Sequence, residues 1–468
     1  MAARGHVLAL LVLLALAGEA AAGGGRHPHS HRHRHGRKSA RLRLIPSAPG
    51  ASLADRARDD RHRHAYIRST LASRRRAAEV GASAFAMPLS SGAYTGTGQY
   101  FVRFRVGTPA QPFVLVADTG SDLTWVKCRG AAGSPPDAQP PAREFRPAAS
   151  KSWAPIACSS DTCTSYVPFS LANCSTPASP CAYDYRYKDG SAARGVVGTD
   201  SATIALSGSG NGVGADGSRR AKLQGVVLGC TASYDGQSFQ SSDGVLSLGN
   251  SNISFASRAA ARFGGRFSYC LVDHLAPRNA TSYLTFGPGP EDGPASAPAA
   301  PEQTPLLLDR RMSPFYAVTV DTVYVAGEAL DIPADVWDVD KSGGAILDSG
   351  TSLTILATPA YKAVVSALSE QLAGLPRVTM DPFEYCYNWT AGAPEIPELE
   401  VHFAGSARLQ PPAKSYVIDA APGVKCIGVQ EGAWPGVSVI GNILQQEHLW
   451  EFDLRDRWLR FKHTRCAQ

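Results

Sequence analysis

The chain has 468 residues, of which 18% are charged and 44% hydrophobic, with 45 Gly and 33 Pro. One hydrophobic core does not grow to this size, so we expect two or more packed units. The many turn-forming residues favour β-structure and exclude a coiled coil, a collagen and a disordered chain. No apolar run reaches the roughly 18 residues of a spanning helix, which excludes a multi-pass membrane protein.

The first 22 residues have the pattern of a secretory signal peptide. Arg4 and His6 precede the apolar stretch 7–17, and three alanines at 20–22 offer a cleavage site before Gly23. The C-terminal residues are polar and lack the hydrophobic tail of a lipid-anchor signal. We therefore expect an exported, soluble product without a membrane anchor.

A strongly basic segment follows. Residues 23–80 carry 15 Lys and Arg against four Asp and Glu, a net charge of +11, whereas residues 81–468 carry −5. Seven of the 12 His lie in this segment, which is poor in apolar residues, so we expect no core of its own. Nucleic-acid binding, metal chelation by the histidines and plain disorder are alternatives. Export and the acidic remainder favour a removable propeptide over residues 23–84 that covers the body.

The body is predicted to be rich in strands. Residues 99–106 alternate as a strand, and the Pro-, Gly- and Ala-rich residues 287–305 indicate a linker between two lobes, 85–286 and 306–468. The clearest helix follows Thr358, which can cap it, with Pro359 in the first turn. One face of that helix is apolar: Tyr361, Val364, Val365, Leu368 and Leu372.

The cysteines and glycosylation sequons agree with export. None of the 10 cysteines lies in a C-x-x-C pair, which argues against zinc ribbons and thioredoxin-like sites. In an exported chain they predict five disulfides, although spacing alone does not choose the pairing. Four sequons predict N-glycosylation at Asn173, Asn252, Asn279 and Asn388.

The strongest signal is an internal repeat. Residues 113–125 (FVLVADTGSDLTW) match residues 343–354 (GGAILDSGTSLT), 230 positions later. Each copy has an apolar strand, an Asp, a hydroxyl-Gly-hydroxyl triplet and then x-Leu-Thr. One Asp-Thr-Gly turn is an ordinary loop, but two copies on either side of the linker predict a duplicated unit. The two copies would meet at a boundary that brings Asp118 and Asp348 together.

Paired aspartates suit one chemistry in particular. Two carboxylates held close cannot both ionise cheaply, so the pair keeps one proton over an acidic pH range. The charged member can take a proton from a bound water while the protonated one donates to a substrate carbonyl. Gly120 and Gly350 let backbone N–H groups approach the carboxylates. The pattern predicts hydrolysis that needs no metal or other cofactor.

With these two loops, the sequence resembles the pepsin-family aspartic proteases, in particular the nepenthesin-type and related atypical plant members, from about Gln99 to Cys466. The resemblance implies an all-β, bilobal fold of two β-barrels with the catalytic cleft between the lobes. It implies a monomeric endopeptidase, made as a zymogen, that cuts polypeptides at acidic pH in the apoplast or a vacuole. Asp118 and Asp348 would be its catalytic pair.

The resemblance also assigns roles within the two loops. Ser121 and Thr351 match the hydroxyls that donate to the outer carboxylate oxygens, and Thr119 and Ser349 match the pair that interlocks the loops. The chain departs from the family at Ser247, where glycine is usual.

A flap is expected over the cleft. Tyr187 matches the flap tyrosine that closes over substrate, next to Asp189 and Gly190, and Trp125 matches the tryptophan behind the flap. Lys188 stands where the family usually has glycine.

The resemblance further implies a disulfide pairing. It suggests Cys158–Cys181, Cys163–Cys174, Cys270–Cys466 and Cys386–Cys426, which leaves Cys128–Cys230.

Two function classes remain open at this point. One is the acid endopeptidase, and the other is a non-catalytic secreted relative that keeps the fold as a binding or inhibitor protein. Such relatives usually lose an Asp, the Gly or the hydroxyls of one loop, and both loops are intact here, which favours the enzyme. We expect no nucleic-acid partner. In a zymogen, the basic segment would lie against the acidic body and hold one basic side chain near Asp118 and Asp348.

Overall fold

The computed structural model describes residues 39–46, 100–132, 143–167, 174–186, 192–207, 219–235, 242–273, 276, 282–287, 301–389 and 393–466, together with seven helical residues between 53 and 68. The predicted signal peptide, the flap residues 187–191, most of the predicted linker and the sequons at Asn173 and Asn279 lie outside these residues. Asn252 and Asn388 are described, and both are exposed.

Strands dominate the described residues, and the helices are short. One helix lies near the N-terminus and is called the N-terminal helix here; its described residues are Leu53, Ala57, Asp60, Arg63, His64, Ile67 and Arg68. Three more follow: α1 (Asp161–Ser165), α2 (Phe255–Phe263) and α3 (Thr358–Gln371). Short 3-10 turns lie at Pro147–Ala149, Ala334–Val336, Val339–Lys341 and Ala413–Ser415. Within the described part of the chain, no helix is long and apolar enough to cross a membrane.

The first group of strands runs from the N-terminus to the predicted linker. In chain order they are β1 (Ser39–Pro46), β2 (Tyr100–Val106), β3 (Gln111–Asp118), β4 (Trp125–Ala132), β5 (Ala154–Pro155), β6 (Ala182–Arg186), β7 (Ala192–Ser207), β8 (Arg219–Asp235), β9 (Gly244–Ser247), β10 (Arg266–Cys270) and β11 (Ser282–Phe286).

The second group follows the predicted linker. In chain order they are β12 (Glu302–Pro305), β13 (Tyr316–Val318), β14 (Val320–Val325), β15 (Glu328–Ala329), β16 (Ala345–Asp348), β17 (Thr354–Ala357), β18 (Arg377–Met380), β19 (Phe383–Asn388), β20 (Leu399–Phe403), β21 (Ala407–Leu409), β22 (Val417–Ala421), β23 (Val424–Ile427), β24 (Val429–Gly432), β25 (Ser438–Gly441), β26 (His448–Asp453) and β27 (Trp458–His463).

Four sheets contain these strands. The large sheet has the order β12-β27-β26-β10-β11-β1-β2-β3-β9-β4-β8-β7-β5, with β6 paired to β7. Three smaller sheets, all from the second half, have the orders β13-β16-β25-β17-β24, β15-β14-β20-β21 and β18-β19-β23-β22. The architecture is the strand-rich, bilobal one that the resemblance implied. Strands β26 and β27 return from the end of the chain to β10, so they join both halves into one sheet.

The internal repeat of the sequence is an internal repeat of the fold. The strand order β2-β3-β9-β4-β8 in the first half is matched by β13-β16-β25-β17-β24 in the second. In both units the strand that ends in Asp pairs in parallel with the third strand, so that Asp118 lies opposite Ser247 and Asp348 lies opposite Gly441. The prediction of a duplicated unit is confirmed.

The departure at Ser247 has a physical explanation in this comparison. A Cβ atom on Gly441 would lie 2.5 Å from the carbonyl oxygen of Leu353, so the second copy needs glycine. In the first copy the Ser247 hydroxyl accepts from the backbone N–H of Phe255 at 3.0 Å and lies 2.8 Å from the hydroxyl of Thr124. Ser247 therefore ties the strand next to Asp118 to the start of α2.

Helix α3 forms where its apolar face predicted it. Tyr361, Val364, Val365 and Leu368 are buried on one side. The predicted cap is wrong by one residue: Ala357 is the N-cap, without a side-chain bond. The Thr358 hydroxyl donates instead to the carbonyl of Gly432 at 2.8 Å.

The predicted linker is shorter at its C-terminal end than residues 287–305. Its last four residues form β12, which pairs with β27 in the large sheet. The Pro- and Ala-rich composition that indicated a linker ends just before Glu302, and Thr304 within β12 is fully buried. The composition therefore predicted the linker between the lobes, but it did not predict that the last four residues of that range form a strand.

All ten cysteines form disulfides, and three of the five pairs are those that the resemblance implied. These are Cys128–Cys230, Cys270–Cys466 and Cys386–Cys426. The other two implied pairs are wrong, because the bonds are Cys158–Cys174 and Cys163–Cys181. The sulfur atoms of Cys158, Cys163 and Cys174 all lie within 4.8 Å of one another. With sulfurs this close, the choice of partner depends on side-chain directions that spacing along the chain does not encode.

The basic segment has no separate core in its described residues and packs onto the body. Strand β1 lies between β11 and β2 in the large sheet, antiparallel to both. The N-terminal helix buries Leu53 and Ala57 against Leu353 and Phe383, and Ile67 in a second apolar cluster.

Candidate active site

Asp118 and Asp348 meet at the ends of matching strands. Asp118 ends β3 and Asp348 ends β16, with exposures of 6% and 0%. Each carboxylate accepts a hydrogen bond from the backbone N–H two residues further on, from Gly120 to Asp118 Oδ1 and from Gly350 to Asp348 Oδ1, both at 2.9 Å. The two loops thus present their carboxylates in the same way.

Reciprocal hydrogen bonds lock the loops together. The Thr119 N–H donates to the Ser349 hydroxyl at 3.1 Å, and the Ser349 N–H donates to the Thr119 hydroxyl at 2.9 Å. The Ser349 hydroxyl in turn donates to the carbonyl of Ala117 at 3.1 Å, and the Thr119 hydroxyl to that of Leu347 at 3.4 Å. The interlocking predicted for Thr119 and Ser349 is present, and it fixes the separation of the two aspartates.

The hydroxyls one residue further on do not behave alike. The Thr351 hydroxyl donates to Oδ2 of Asp348 at 2.7 Å, as the resemblance implied. The prediction for Ser121 is wrong, because its hydroxyl donates to the main-chain carbonyl of Asp118 at 3.2 Å and not to the carboxylate. This leaves the Asp348 carboxylate with two donors from its own loop and the Asp118 carboxylate with the Gly120 N–H.

A single guanidinium from the N-terminal helix bridges both carboxylates. Arg63 Nη2 donates to Asp118 Oδ1 at 2.5 Å and to Asp348 Oδ1 at 2.8 Å, and Arg63 Nε donates to Asp348 Oδ2 at 2.6 Å. The expected basic side chain of the segment is therefore present between the two aspartates. Arg63 is itself buried, at 4% exposure.

The electrostatics of this trio follow from burial and proximity. Burial disfavours the charged guanidinium, but Asp118 and Asp348 outweigh that effect and hold the pKa of Arg63 well above its ordinary value. Burial raises the pKa of Asp118 and the Asp348 charge adds to the rise, while Arg63 opposes it. A buried ion pair is costly to break on one side only, because the remaining charge stays desolvated.

Glycine is required at the centre of both loops because the guanidinium lies directly over them. A Cβ atom on Gly120 would lie 2.6 Å from Arg63 Nη2, and one on Gly350 would lie 2.7 Å from Asp118 Oδ1. Any side chain at either position would force the carboxylates or their occupant to move.

Two neighbours of Arg63 anchor the helix on the second half of the body. The Asp60 carboxylate accepts from the backbone N–H groups of Ser352 at 2.7 Å and Leu353 at 2.5 Å. His64 Nε2 lies 3.1 Å from the carbonyl oxygen of Val437. Burial lowers the pKa of His64, and the charge of Arg68 lowers it further against the opposing effect of the Val437 bond.

The surroundings of Trp125, which is expected behind the flap, are described, whereas the flap itself is not. The tryptophan side chain is 2% exposed and packs in a cluster with Tyr183 of β6, Val197 of β7 and Tyr234 of β8. Strands β6 and β7 form the hairpin that leads to and from residues 187–191. Tyr187, Lys188, Asp189 and Gly190 themselves lie outside the described residues, so their roles stay predictions.

Asp60, His64 and Asn442 were missed at the sequence level. Asn442 is fully buried, and its Nδ2 donates to the carbonyl of Ser349 at 3.0 Å, which supports the second loop from behind. Residues 53, 57, 60, 64 and 67 have helical spacing, a signal for the N-terminal helix. Two of the five are polar, however, so the buried face of the helix is not recognisable as an apolar pattern in this basic segment.

Comparisons with known proteins agree with this geometry. Two family models match, "Xylanase inhibitor N-terminal" over residues 100–288 and "Xylanase inhibitor C-terminal" over residues 315–463. Over 388 residues the chain is 32% identical to "Aspartyl protease family protein 2" of Arabidopsis thaliana, which covers 82% of this chain and 74% of that protein. The chain belongs to the plant pepsin-family aspartic proteases.

Further relatives place the chain within that family. It is 29% identical over 383 residues to "Aspartic proteinase nepenthesin-2" of Nepenthes gracilis, across 80% of this chain and 79% of that protein. Among solved structures, basic 7S globulin from soybean is similar, with a TM-score of 0.58 and 20% identity over 79% of this chain and 92% of that one. At that identity the structural likeness speaks for the pepsin-like fold alone.

Proposed function

We propose that this protein is an aspartic endopeptidase that hydrolyses polypeptides at acidic pH, made as a zymogen and exported. The observation that carries the proposal is the meeting of Asp118 and Asp348 on two interlocked, intact loops, with Arg63 drawn between them. Two buried carboxylates lie close enough here to share one cation. When that cation leaves, two carboxylates at this distance share one proton instead.

The asymmetry of hydrogen bonding supports different roles for the two aspartates once Arg63 has left. Asp348 accepts from the Gly350 N–H and the Thr351 hydroxyl, which stabilise its ionised form. Asp118 accepts from the Gly120 N–H, and burial raises its pKa, so it retains the shared proton. Asp348 then takes a proton from water as the water oxygen attacks the peptide carbonyl carbon, and Asp118 donates its proton to the carbonyl oxygen. Asp348 then gives its proton to the leaving nitrogen, and one hydroxyl of the tetrahedral intermediate returns a proton to Asp118. The carbonyl re-forms as the C–N bond breaks.

The zymogen part of the proposal rests on the position of the basic segment. Arg63 occupies the site in which water would be activated, and the helix around it covers the second loop. Carboxylates on the body lose charge as the pH falls toward roughly 4, while Arg63 stays charged, so attraction weakens and the segment is released. Cleavage between about Val80 and Gly92 would make that release permanent.

Export is proposed from the sequence, with support from the disulfides. The N-terminal 22 residues match a signal peptide, and the ten cysteines form five disulfides, which persist in oxidising compartments. We propose the apoplast or a vacuole as the destination, and a monomeric protein.

A second candidate is a non-catalytic binding or inhibitor protein. The names of the two matching family models, which refer to xylanase inhibitors, favour it. The intact pair of loops and the guanidinium bound across both carboxylates favour the protease.

One experiment separates the two candidates. The purified full chain is held at pH values from 3 to 7 with a peptide library, with and without pepstatin, beside the variants Asp118→Asn and Asp348→Asn. The protease reading predicts cleavage below about pH 5 that pepstatin blocks, and a loss of about 10³-fold or more in kcat for each variant. Folded wild-type protein that cleaves nothing across this range, or cleavage that survives either substitution, contradicts the proposal.

A further inference from the structure

The contacts of the Asp60 carboxylate indicate an anion-binding site on the body. Its two oxygens are divided between two successive backbone amides, Oδ1 accepting from Ser352 N at 2.7 Å and Oδ2 from Leu353 N at 2.5 Å. The Asp60 residue is 3% exposed. Successive N–H groups that point to one side form a concavity that binds anions.

The body, and not Asp60, fixes the direction of these two amides. In a trans peptide the C=O and N–H groups point in opposite directions. The carbonyl in the same peptide unit as Ser352 N belongs to Thr351 and accepts from Asn442 N at 2.7 Å. The carbonyl paired in this way with Leu353 N belongs to Ser352 and accepts from Ile443 N at 3.0 Å. Both peptide units are held from behind, so both N–H groups point toward the segment whether or not Asp60 is present.

The amides also lie next to the reacting groups. Ser352 directly follows Thr351, whose hydroxyl is bonded to Asp348. When the segment leaves, both N–H groups lose the Asp60 carboxylate as their acceptor, and an acceptor on a bound substrate can take its place. A substrate main-chain carbonyl offers one oxygen, whereas a carboxylate offers two with the spacing that Asp60 uses.

We propose that the backbone amides of Ser352 and Leu353 form a carboxylate-binding subsite of the cleft, which selects an acidic side chain in the polypeptide substrate. This inference rests on the proposed function. Asp60 precedes Arg63 by three residues, a rise of about 4.5 Å in a helix. An extended substrate advances about 3.3 Å per residue. The acidic residue therefore belongs within about three positions of the bond that is cut.

The subsite has a pH signature. Above its pKa, roughly 4, a substrate carboxylate accepts hydrogen bonds from both amides. Its protonated form, like the side chain of Asn, offers one carbonyl oxygen. Selection of Asp over Asn is strong at pH 5.5 and weak at pH 3.

The first test uses the enzyme obtained by acid processing of the full chain. Acetylated and C-terminally amidated peptides carry Asp, Asn or Ala in turn at three positions on each side of one cleaved bond, so that the only variable carboxylate is the side chain. We expect one position at which Asp raises kcat/KM over Ala and Asn about tenfold at pH 5.5 and less than about threefold at pH 3. Equal kcat/KM for the three residues at all six positions overturns the subsite.

The second test measures binding and needs no catalysis. The full chain, with a site-specific protease sequence inserted between residues 80 and 92, is nicked and allowed to exchange its segment for a labelled peptide of residues 50–70. At pH 6 the Asp60→Ala peptide should bind at least tenfold more weakly, and the Asp59→Asn peptide, the matched loss of one negative charge, as well as the original. Equal binding of the Asp60→Ala peptide overturns the subsite. If no peptide is ever cut, the proposed function fails, and this binding measurement decides the subsite alone.

Discussion

The hydroxyl of Thr351 donates to the carboxylate of Asp348 at 2.7 Å, whereas the hydroxyl in the matching position of the first loop donates to a main-chain carbonyl. A duplicated fold has therefore produced two carboxylates with different surroundings. The bond from Thr351 stabilises the ionised form of Asp348 in particular.

A matched pair of variants follows from this difference. Thr351→Ala removes a hydrogen bond to a charged group, about 1.5–3 kcal/mol, and should lower kcat at least tenfold. Ser121→Ala removes a bond to a neutral carbonyl and should change kcat less than about threefold. Equal losses in the two variants would contradict the assignment of the charge to Asp348.

Arg63 should control access to the site. Arg63→Ala leaves two buried carboxylates without their cation, and docking of the segment should weaken by about 3–5 kcal/mol. We expect this variant to hydrolyse a fluorogenic peptide at pH 5.5, where the wild-type full chain is still blocked. Arg63→Lys should be intermediate, since a lysine cannot reproduce the bidentate fork. Arg61→Ala is the control for the loss of one positive charge from the same segment. Silence of the Arg63→Ala variant would refute the blocking role.

We expect His64 to make docking of the segment depend on pH, in a range above the pKa values of the carboxylates. Burial lowers the pKa of His64, so the docked form binds fewer protons than the released form. Docking is then strongest above about pH 6.5 and weakens as the pH falls from there to the lowered pKa. Below the lowered pKa, His64 is protonated in both forms, and its contribution to docking is completely lost. His64→Gln removes the titration and can still donate to the Val437 carbonyl, so it should shift the midpoint of segment release to lower pH.

The release itself can be followed by mass spectrometry of the N-terminus during a pH titration of the full chain. His62→Gln is the control for the loss of one histidine. A midpoint that is the same in the His64→Gln variant and the wild type would rule out this contribution.

Peptide mapping without reduction tests the disulfides. We expect no free thiol and the links Cys158–Cys174 and Cys163–Cys181 in the region before the flap. A Cys158–Cys181 link would restore the pairing implied by the family resemblance. Because the four cysteines close short loops of 16 and 18 residues, loss of either bond should cost about 3 kcal/mol of stability, measured by thermal unfolding.

The sequence predicted the parts of the site that lie close together along the chain. Each Asp and the hydroxyls of its loop are fixed by a local strand and turn, and the repeat made their meeting predictable. The role of Ser121 was predicted wrongly because the choice between a carboxylate and a carbonyl acceptor 3.2 Å away depends on a side-chain rotamer. Local pattern carries no information on that choice.

The contacts made across long stretches of chain were harder to predict. The charge difference between the basic segment and the body indicated that a cation would lie near the aspartates, but 15 candidates lay in that segment. The position of Arg63 depends on a helix whose buried face includes Asp60 and His64, both polar. Their burial is satisfied by the amides of Ser352 and Leu353 and the carbonyl of Val437, none of which has a side-chain signature.

Strand β1 is part of the middle of the large sheet, where Leu42 lies opposite Leu284 and Leu44 opposite Val102. Removal of residues 39–46 therefore opens a slot with unpaired backbone groups on β11 and β2, and such edges recruit other strands. The maturation proposed above would therefore exchange strands as well as withdraw an arginine. We expect a stretch of chain downstream of the cut to enter the slot, because an open slot would pair with a strand of a second molecule. A body refolded without the segment starts with that slot open.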